Sequence, residues 1–132
     1  MKILIDSNVL ISALFYPGSK PATALFHAAN NHELILTDHN ISELRKITKE
    51  KFPQIYEDID SFLTELTFTL ISAPEVYNPY INDPKDMPIL NAAINAEVDI
   101  IISGDKHFLE LDIEHPKMMN AATYLLIFVL EE

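Results

Sequence analysis

The chain has 132 residues, of which 48% are hydrophobic and 22% charged, a composition typical of one ordinary globular domain. It contains no cysteine, which excludes disulfides, thiolate zinc sites and cysteine nucleophiles. Only Gly18 and Gly104 are glycine, so a glycine-rich phosphate loop is excluded as well. The net charge of −11 repels nucleic acids in general, and any nucleic-acid function requires local compensation by cations or by a small basic patch.

The termini carry no recognisable targeting segment. The apolar run at the start reaches Asp6 after three residues, too few for the core of a signal peptide. The apolar run near the end, Leu125–Leu130, is far shorter than the roughly 20 residues that a membrane span needs. We therefore expect a cytoplasmic protein without membrane contact.

In the first half of the chain, strands alternate with helices. The apolar runs predict strands at Lys2–Ile5 and Glu33–Leu36. Helical spacing of apolar residues, with capping and Pro-Gly signals between the elements, predicts four helices. These helices cover Val9–Phe15, Lys20 to about Asn31, Thr37 or Asp38 to about Lys51, and roughly Gln54–Leu66.

The second half continues the alternation after a polar, proline-containing loop, Pro74–Pro88. Pro88 lies in the first turn of the helix that follows, where its missing N–H costs little. Strands are predicted at Phe68–Ile71, Asp99–Ile102 and Lys117–Met119, and Asn120 caps a last helix that runs to Leu130. Apolar strands alternating with helices predict an α/β fold, with a parallel sheet covered on both faces, as a single domain over residues 1–132.

Acidic residues follow several of these strands. Asp6 comes directly after the first strand and Asp105 follows the strand at 99–102, while Asp86 opens the helix after the proline loop. Glu43 lies on the helix after the second strand. Because ligands of open α/β sheets bind at the carboxyl ends of the strands, these carboxylates are candidates for one cleft.

Such a cleft needs a compensating charge. Two carboxylates about 4 Å apart repel by roughly 4 kcal/mol at an effective dielectric constant near 20. A donor set of oxygens without cysteine favours Mg²⁺ or Mn²⁺ over Zn²⁺, and a metal-bound water beside a phosphodiester is a hydrolase design. A structural alternative stays open for each residue taken alone: an Asp after a strand can simply cap a helix, and Glu43 can be a solvated helix residue.

Several motifs resemble the PIN-domain nucleases, in the order in which that family carries them. The opening segment looks like the family's strand followed by Asp-Thr/Ser-Asn-Val-Leu, and later segments look like its second, third and fourth acidic positions. The likeness extends from Lys2 to about Leu125. The segments are Ile3–Leu14, Pro17–Ala22, Ile41–Leu44, Asp83–Leu90 and Ile101–Phe108.

The resemblance implies a three-layer α/β/α, Rossmann-like domain with a central, mostly parallel sheet of about five strands. It also implies a Mg²⁺- or Mn²⁺-dependent endoribonuclease acting on single-stranded RNA, often the toxin of a VapC-type toxin–antitoxin pair. Carried over residue by residue, the metal-binding and catalytic acids would be Asp6, Glu43, Asp86 and Asp105. Ser7, Asn8 and Ser103 would be polar groups beside them, and Asp83 an accessory acid.

The basic residues and the last helix indicate which partners the chain could bind. Arg45, Lys46, Lys49 and Lys51 gather on one helix, and Lys106 adjoins Asp105; such residues either guide a phosphate backbone or form a solvated face. The last helix is apolar nearly all round, which favours a homodimer. A cognate antitoxin could place a basic residue in the acidic cleft.

Two other functions compete with the ribonuclease. A catalytically silent PIN-like module would bind RNA or protein without cleaving it. A receiver-type signalling domain would need an acidic pair after the first strand and an acceptor Asp after the third, where the chain has Ser72-Ala73-Pro74. The same fold class accommodates all three functions, so the site must decide among them.

Overall fold

The computed structural model describes residues 1–72, 87–110 and 113–129. Its core is one sheet of five strands in the order β3-β2-β1-β4-β5, and every pairing is parallel. In the register of the central strands, Leu4 lies opposite Ile35 on one side and Ile101 on the other. The predicted five-stranded α/β sheet is thus confirmed. The strands are β1 (Lys2–Ile5), β2 (Glu33–Thr37), β3 (Thr69–Ile71), β4 (Ile100–Ile102) and β5 (Lys117–Met119).

Seven α-helices connect or follow these strands in the described ranges. A single 3₁₀ turn, Pro53–Ile55, lies between the third and fourth helices. The helices are α1 (Ser7–Phe15), α2 (Lys20–Asn31), α3 (Asp38–Lys51), α4 (Asp58–Thr64), α5 (Met87–Asn95), α6 (Lys106–Leu109) and α7 (Ala121–Phe128).

Two helices in the first half of the chain differ from the sequence prediction. The first helix begins at Ser7 rather than Val9, because the Asp6 carboxylate accepts a hydrogen bond from the Ser7 N–H and caps the helix two residues earlier. The helix predicted over 54–66 is interrupted, and only Asp58–Thr64 is α-helical. Asp58 and Asp60 lie in its first turn, where acidic side chains favour a helix N-terminus.

The side chains of the central strands alternate between two packed layers. Ile3 and Ile5 point into the larger apolar cluster, which α1, α2 and α7 cover. Leu4 and Ile101 point to the opposite face and pack with Leu90 of α5 and with Phe108 of α6. Because β1 and β4 are buried on both faces, they are almost wholly apolar, as the sequence predicted for a covered parallel sheet. The edge strand β3 is more exposed.

The strand order places a switch point beside β1. The chain moves from β1 to β2 on one side and later returns to β4 on the other. At such a point the connections after the two strands leave toward opposite faces, and a crevice opens at their carboxyl ends. Asp6 follows β1 and Ser103 follows β4, so both residues lie at this crevice.

The last helix has one buried and one exposed face. Tyr124 and Leu125 are buried in the larger cluster, whereas Leu126 and Ile127 are 54% and 46% exposed. The sequence placed the end of this helix at Leu130; the structure ends it at Phe128, and residues 130–132 lie outside the described ranges. None of the described helices is long and apolar enough to cross a membrane.

Candidate active site at the carboxyl ends of β1 and β4

Asp6 is the most buried of the described acids of the site, with 5% of its surface exposed. Its N–H donates to the Ile102 carbonyl oxygen at 2.9 Å, which extends the pairing of β1 with β4 by one residue. One carboxylate oxygen, Oδ1, accepts from the Ser7 N–H at 2.8 Å. The other, Oδ2, accepts from the Ser103 hydroxyl at 2.8 Å. Backbone and side chain together therefore fix the orientation of this carboxylate.

Ser103 connects the two strand ends. Its side chain is fully buried, and its Oγ, which donates to Asp6, also accepts from the Asp105 N–H at 3.0 Å. The loop after β4 is thereby held against the end of β1. The Asp105 carboxylate, two residues after Ser103, is consequently close enough for its charge to act on Asp6.

The pKa of Asp6 is raised above the usual 3.8, chiefly because burial removes water from its carboxylate. The hydrogen bonds from Ser103 and Ser7 lower the pKa, but they do not compensate for the burial. The charges of Asp105 and Glu43 raise it further. The Asp6 carboxylate is therefore affected by two further acidic charges, which are carried by the loop after β4 and by α3.

Helix α3, which carries Glu43, is tied to the site by Asn40. The Thr37 hydroxyl accepts from the Asn40 N–H, and the Asn40 side-chain oxygen accepts from the Thr37 N–H, both at 2.9 Å. The Asn40 Nδ2 donates across to the Ser7 hydroxyl at 2.9 Å. Sequence analysis did not single out Asn40. The only local signal was the spacing Thr37-x-x-Asn40, which resembles a capping box.

His39 is a second residue that sequence analysis did not single out. Its Nε2 contacts the Glu43 carboxylate one turn along α3, and both side chains are partly exposed. The spacing i, i+4 on a helix was the available signal. This contact restricts where the Glu43 carboxylate can lie.

The remaining predicted site residues are placed as follows. Asn8 is exposed in the first turn of α1, and Lys106 is exposed at the start of α6. Asp83 and Asp86 lie outside the described residues. Of the basic residues on α3, Arg45 donates to the Asp60 carboxylate at 2.8 Å, so this cation is already paired with an acid.

The donor set fits a hydrated hard cation. Within the described ranges no group of three or more His, Asp and Glu side chains is close enough to hold a metal ion by itself. Mg²⁺, however, keeps several waters and often takes only one or two carboxylates. Each Asp6 carboxylate oxygen accepts one of the hydrogen bonds above, which leaves it a further lone pair. Oxygen donors around a buried acid therefore suit Mg²⁺ or Mn²⁺.

We expect Ser103→Ala to raise the Asp6 pKa further and to destabilise the fold by about 1–3 kcal/mol at pH 7, the usual cost of removing the partner of a buried charged group. The substitution removes the hydroxyl that donates to Asp6 Oδ2 and accepts from the Asp105 N–H. Urea unfolding and NMR titration of the Asp6 carboxyl carbon measure the two effects. Ser61→Ala, at an exposed position of α4, is the control. An unchanged Asp6 titration would contradict the role given to Ser103.

Fold and site together define the class of this protein: a three-layer α/β domain with an acidic crevice at the switch point of its sheet. The family model described as "PIN domain" matches residues 2–107, and the chain belongs to the PIN-domain family, a family of nucleases. None of the curated proteins matches the chain in sequence.

A solved structure shares the fold. The chain is similar to one in the crystal structure of VapBC2 from Rickettsia felis, bound to a DNA fragment from their promoter. The TM-score is 0.65 at 13% identity, and the match covers 91% of this chain and 98% of that chain. At this identity the similarity shows the fold, and the predicted Rossmann-like, PIN-type architecture is confirmed.

Proposed function

We propose that this chain, as a single PIN-like domain over residues 1–132, is a metal-dependent endoribonuclease that hydrolyses phosphodiester bonds of single-stranded RNA. The observation that carries the proposal is the burial of the Asp6 carboxylate at the switch point of the sheet, with its two oxygens held by the Ser7 N–H and the Ser103 hydroxyl. Burial and the charges of Asp105 and Glu43 make ionised Asp6 costly without a cation. A site that concentrates negative charge in this way is suited to a divalent ion and, through it, to a phosphate.

Each acid has a place in the proposed chemistry. Asp6 and Asp105 would hold Mg²⁺ or Mn²⁺, Glu43 would ligate the ion or orient the attacking water, and Asp86 would complete the site. When bound, the cation supplies charge for the phosphate oxygens and makes its water more acidic.

The neighbouring residues keep these acids in position. Ser103 and the Ser7 N–H hold the two oxygens of Asp6, and His39 contacts Glu43. Asn8 and Asp83 are proposed as accessory polar groups of the same site.

Charge limits how the substrate approaches. With a net charge of −11, the chain repels an RNA backbone except where a cation or a lysine offsets the field. Lys106 begins α6 directly after Asp105, and it is our candidate for contacting a phosphate next to the bond that is cut. Cleavage is therefore expected to weaken steeply as salt concentration rises.

The test is cleavage of end-labelled single-stranded RNA, duplex RNA and single-stranded DNA by the wild type in Mg²⁺, Mn²⁺ or EDTA. We expect cutting of single-stranded RNA with either metal and none in EDTA. Cutting of none of the substrates in either metal, together with retained RNA binding, would favour a silent binding module. Metal-independent cutting would contradict the assigned chemistry.

We further propose that the protein is the toxin of a toxin–antitoxin pair, with a cognate antitoxin as its partner. The fold similarity to a chain of VapBC2 supports this proposal, as does the negative field of the crevice, which suits a basic inhibitory segment. The exposed Leu126 and Ile127 on α7 support a homodimer. A mass by gel filtration equal to that of the monomer at micromolar concentration would contradict the dimer.

A further inference from the structure

A cavity of about 360 Å³ opens beside the acidic crevice. Its size falls within the range of small-ligand pockets. It lies between the start of α1, the start of α2, the loop after β4 and the start of α7. The residues that line it include Asn8, Val9, Ser12, Lys20, Gly104 and Asn120.

Two segments that line the cavity also carry, or directly follow, acids of the crevice. Asn8 follows Asp6 by two residues on α1, and Gly104 lies between Ser103, which donates to Asp6, and Asp105. The cavity and the acidic crevice therefore have these two segments in common. A chain-like ligand that fills the cavity and continues past Gly104 would bring its next unit toward Asp105 and Asp6.

The lining combines three kinds of chemistry. Buried Val9 and Ala121 contribute apolar wall. The exposed side chains of Asn8 and Asn120 add amide groups, of which Asn120 Oδ1 accepts from the Thr123 N–H at the cap of α7. Lys20 adds a cation that forms no ion pair with any described acid. An apolar slot, amides and one ammonium group match the base, the base edges and the phosphate of a nucleotide.

We propose that this cavity is a nucleotide subsite: it holds an unpaired base next to the phosphate at the acids, and Lys20 contacts a neighbouring phosphate. The inference rests on the proposed function, since it places the substrate of that same site. A base held in a duplex cannot enter such a slot, so the subsite accounts for a single-strand requirement. The described residues of the lining would hold the base by apolar contact and by amide hydrogen bonds.

Binding is tested in the Asp6→Asn background, so that the probes stay intact. The probes are fluorescein-labelled 2′-O-methyl trinucleotides of each single base, and the readout is fluorescence anisotropy. Ala122→Phe fills the cavity from an exposed position of α7 and is expected to weaken binding roughly tenfold, the effect of about 1.4 kcal/mol. Thr123→Phe, exposed on the same helix, is the control and leaves binding unchanged.

The phosphate contact is tested through salt dependence. Lys20→Gln is expected to lower the slope of log affinity against log salt by about 0.7, the effect of losing one single-strand phosphate contact, and Lys20→Arg to preserve it. Lys117→Gln is the control, because Lys117 is exposed at the amino end of β5, whereas the cavity lies beyond the carboxyl ends of the strands. A merely structural role for Lys20 would not change this slope.

The outcomes separate this inference from the nuclease proposal. Metal-dependent RNA cleavage by the wild type, with trinucleotide affinity and salt slope unchanged in Ala122→Phe and Lys20→Gln, would overturn the subsite and leave the nuclease standing. Trinucleotide binding that is lost in Ala122→Phe, without any cleavage by the wild type, would support the subsite and contradict the nuclease. If none of the trinucleotides binds, the subsite is overturned. This outcome includes the case in which the natural occupant of the cavity is a protein segment and not a nucleotide.

Discussion

Asp6→Asn is expected to stabilise the metal-free protein at pH 7 while removing its activity. The pKa of Asp6 is raised, above all by burial, so the protonated form is favoured in the folded state. The stability that protonated Asp6 contributes is present below about its usual pKa of 3.8 and is lost as pH rises through the raised value. At neutral pH the ionised carboxylate therefore costs stability, and the neutral amide removes this cost. Asn can still accept from the Ser7 N–H and face the Ser103 hydroxyl.

Urea unfolding in EDTA, repeated between pH 3 and pH 8, measures this effect. The advantage of the variant should shrink at the acid end, where Asp6 is protonated in both folded and unfolded wild type. Adding Mg²⁺ should raise the stability of the wild type by mass action and that of the variant much less. Asp58→Asn, at an exposed first-turn position of α4, should be neutral or slightly destabilising. A destabilised Asp6→Asn at pH 7 in EDTA would contradict the electrostatic account of the site.

Asn40→Ala is expected to destabilise the protein by about 2–4 kcal/mol, because unmade hydrogen bonds of buried groups cost roughly 1–3 kcal/mol each. The substitution leaves the Thr37 N–H without its acceptor and the Ser7 hydroxyl without its donor, at a position where Thr37 and Asn40 are fully buried. It also removes the hydrogen bond that joins α3 to α1. Since α3 carries Glu43, cleavage should fall together with stability.

Equilibrium unfolding in urea, combined with the initial rate of RNA cleavage well below the unfolding transition, separates the two effects of this substitution. Asn30→Ala, exposed near the end of α2, is the matched control. Ordinary surface substitutions change the free energy of unfolding by up to about 0.5 kcal/mol. A smaller loss of stability in Asn40→Ala would show that the hydrogen bonds among Thr37, Asn40 and Ser7 do not hold the helices together.

The parts of this fold that were predictable from sequence are those set by local chemistry. Apolar runs that end in capping residues marked β1 and β2, and the buried triplet Ile100–Ile102 marked β4. The position of Asp6 after β1 was predictable for the same reason. Because β1 pairs with both β2 and β4, the strand-end position of this residue is also a position at the switch point.

The linkages of the site could not be predicted in the same way. Asn40 meets Ser7 across a separation of 33 residues, and Ser103 meets Asp6 across 97, so neither contact leaves a periodic pattern in the sequence. The helix predicted over 54–66 failed for a different reason. Its apolar spacing was continuous, but Pro53 and the acidic start at Asp58 favour a 3₁₀ turn followed by a new helix.

The most direct test of the nuclease assignment is cleavage of end-labelled single-stranded RNA in Mg²⁺ by the wild type and Asp6→Asn, purified side by side. Side-by-side purification excludes a contaminating nuclease as the source of cutting. The account predicts that the wild type cuts and that the variant, although folded, loses more than about a hundredfold in rate, since even the partners of metal ligands typically cost 10- to 100-fold. Equal rates in the two proteins would contradict it.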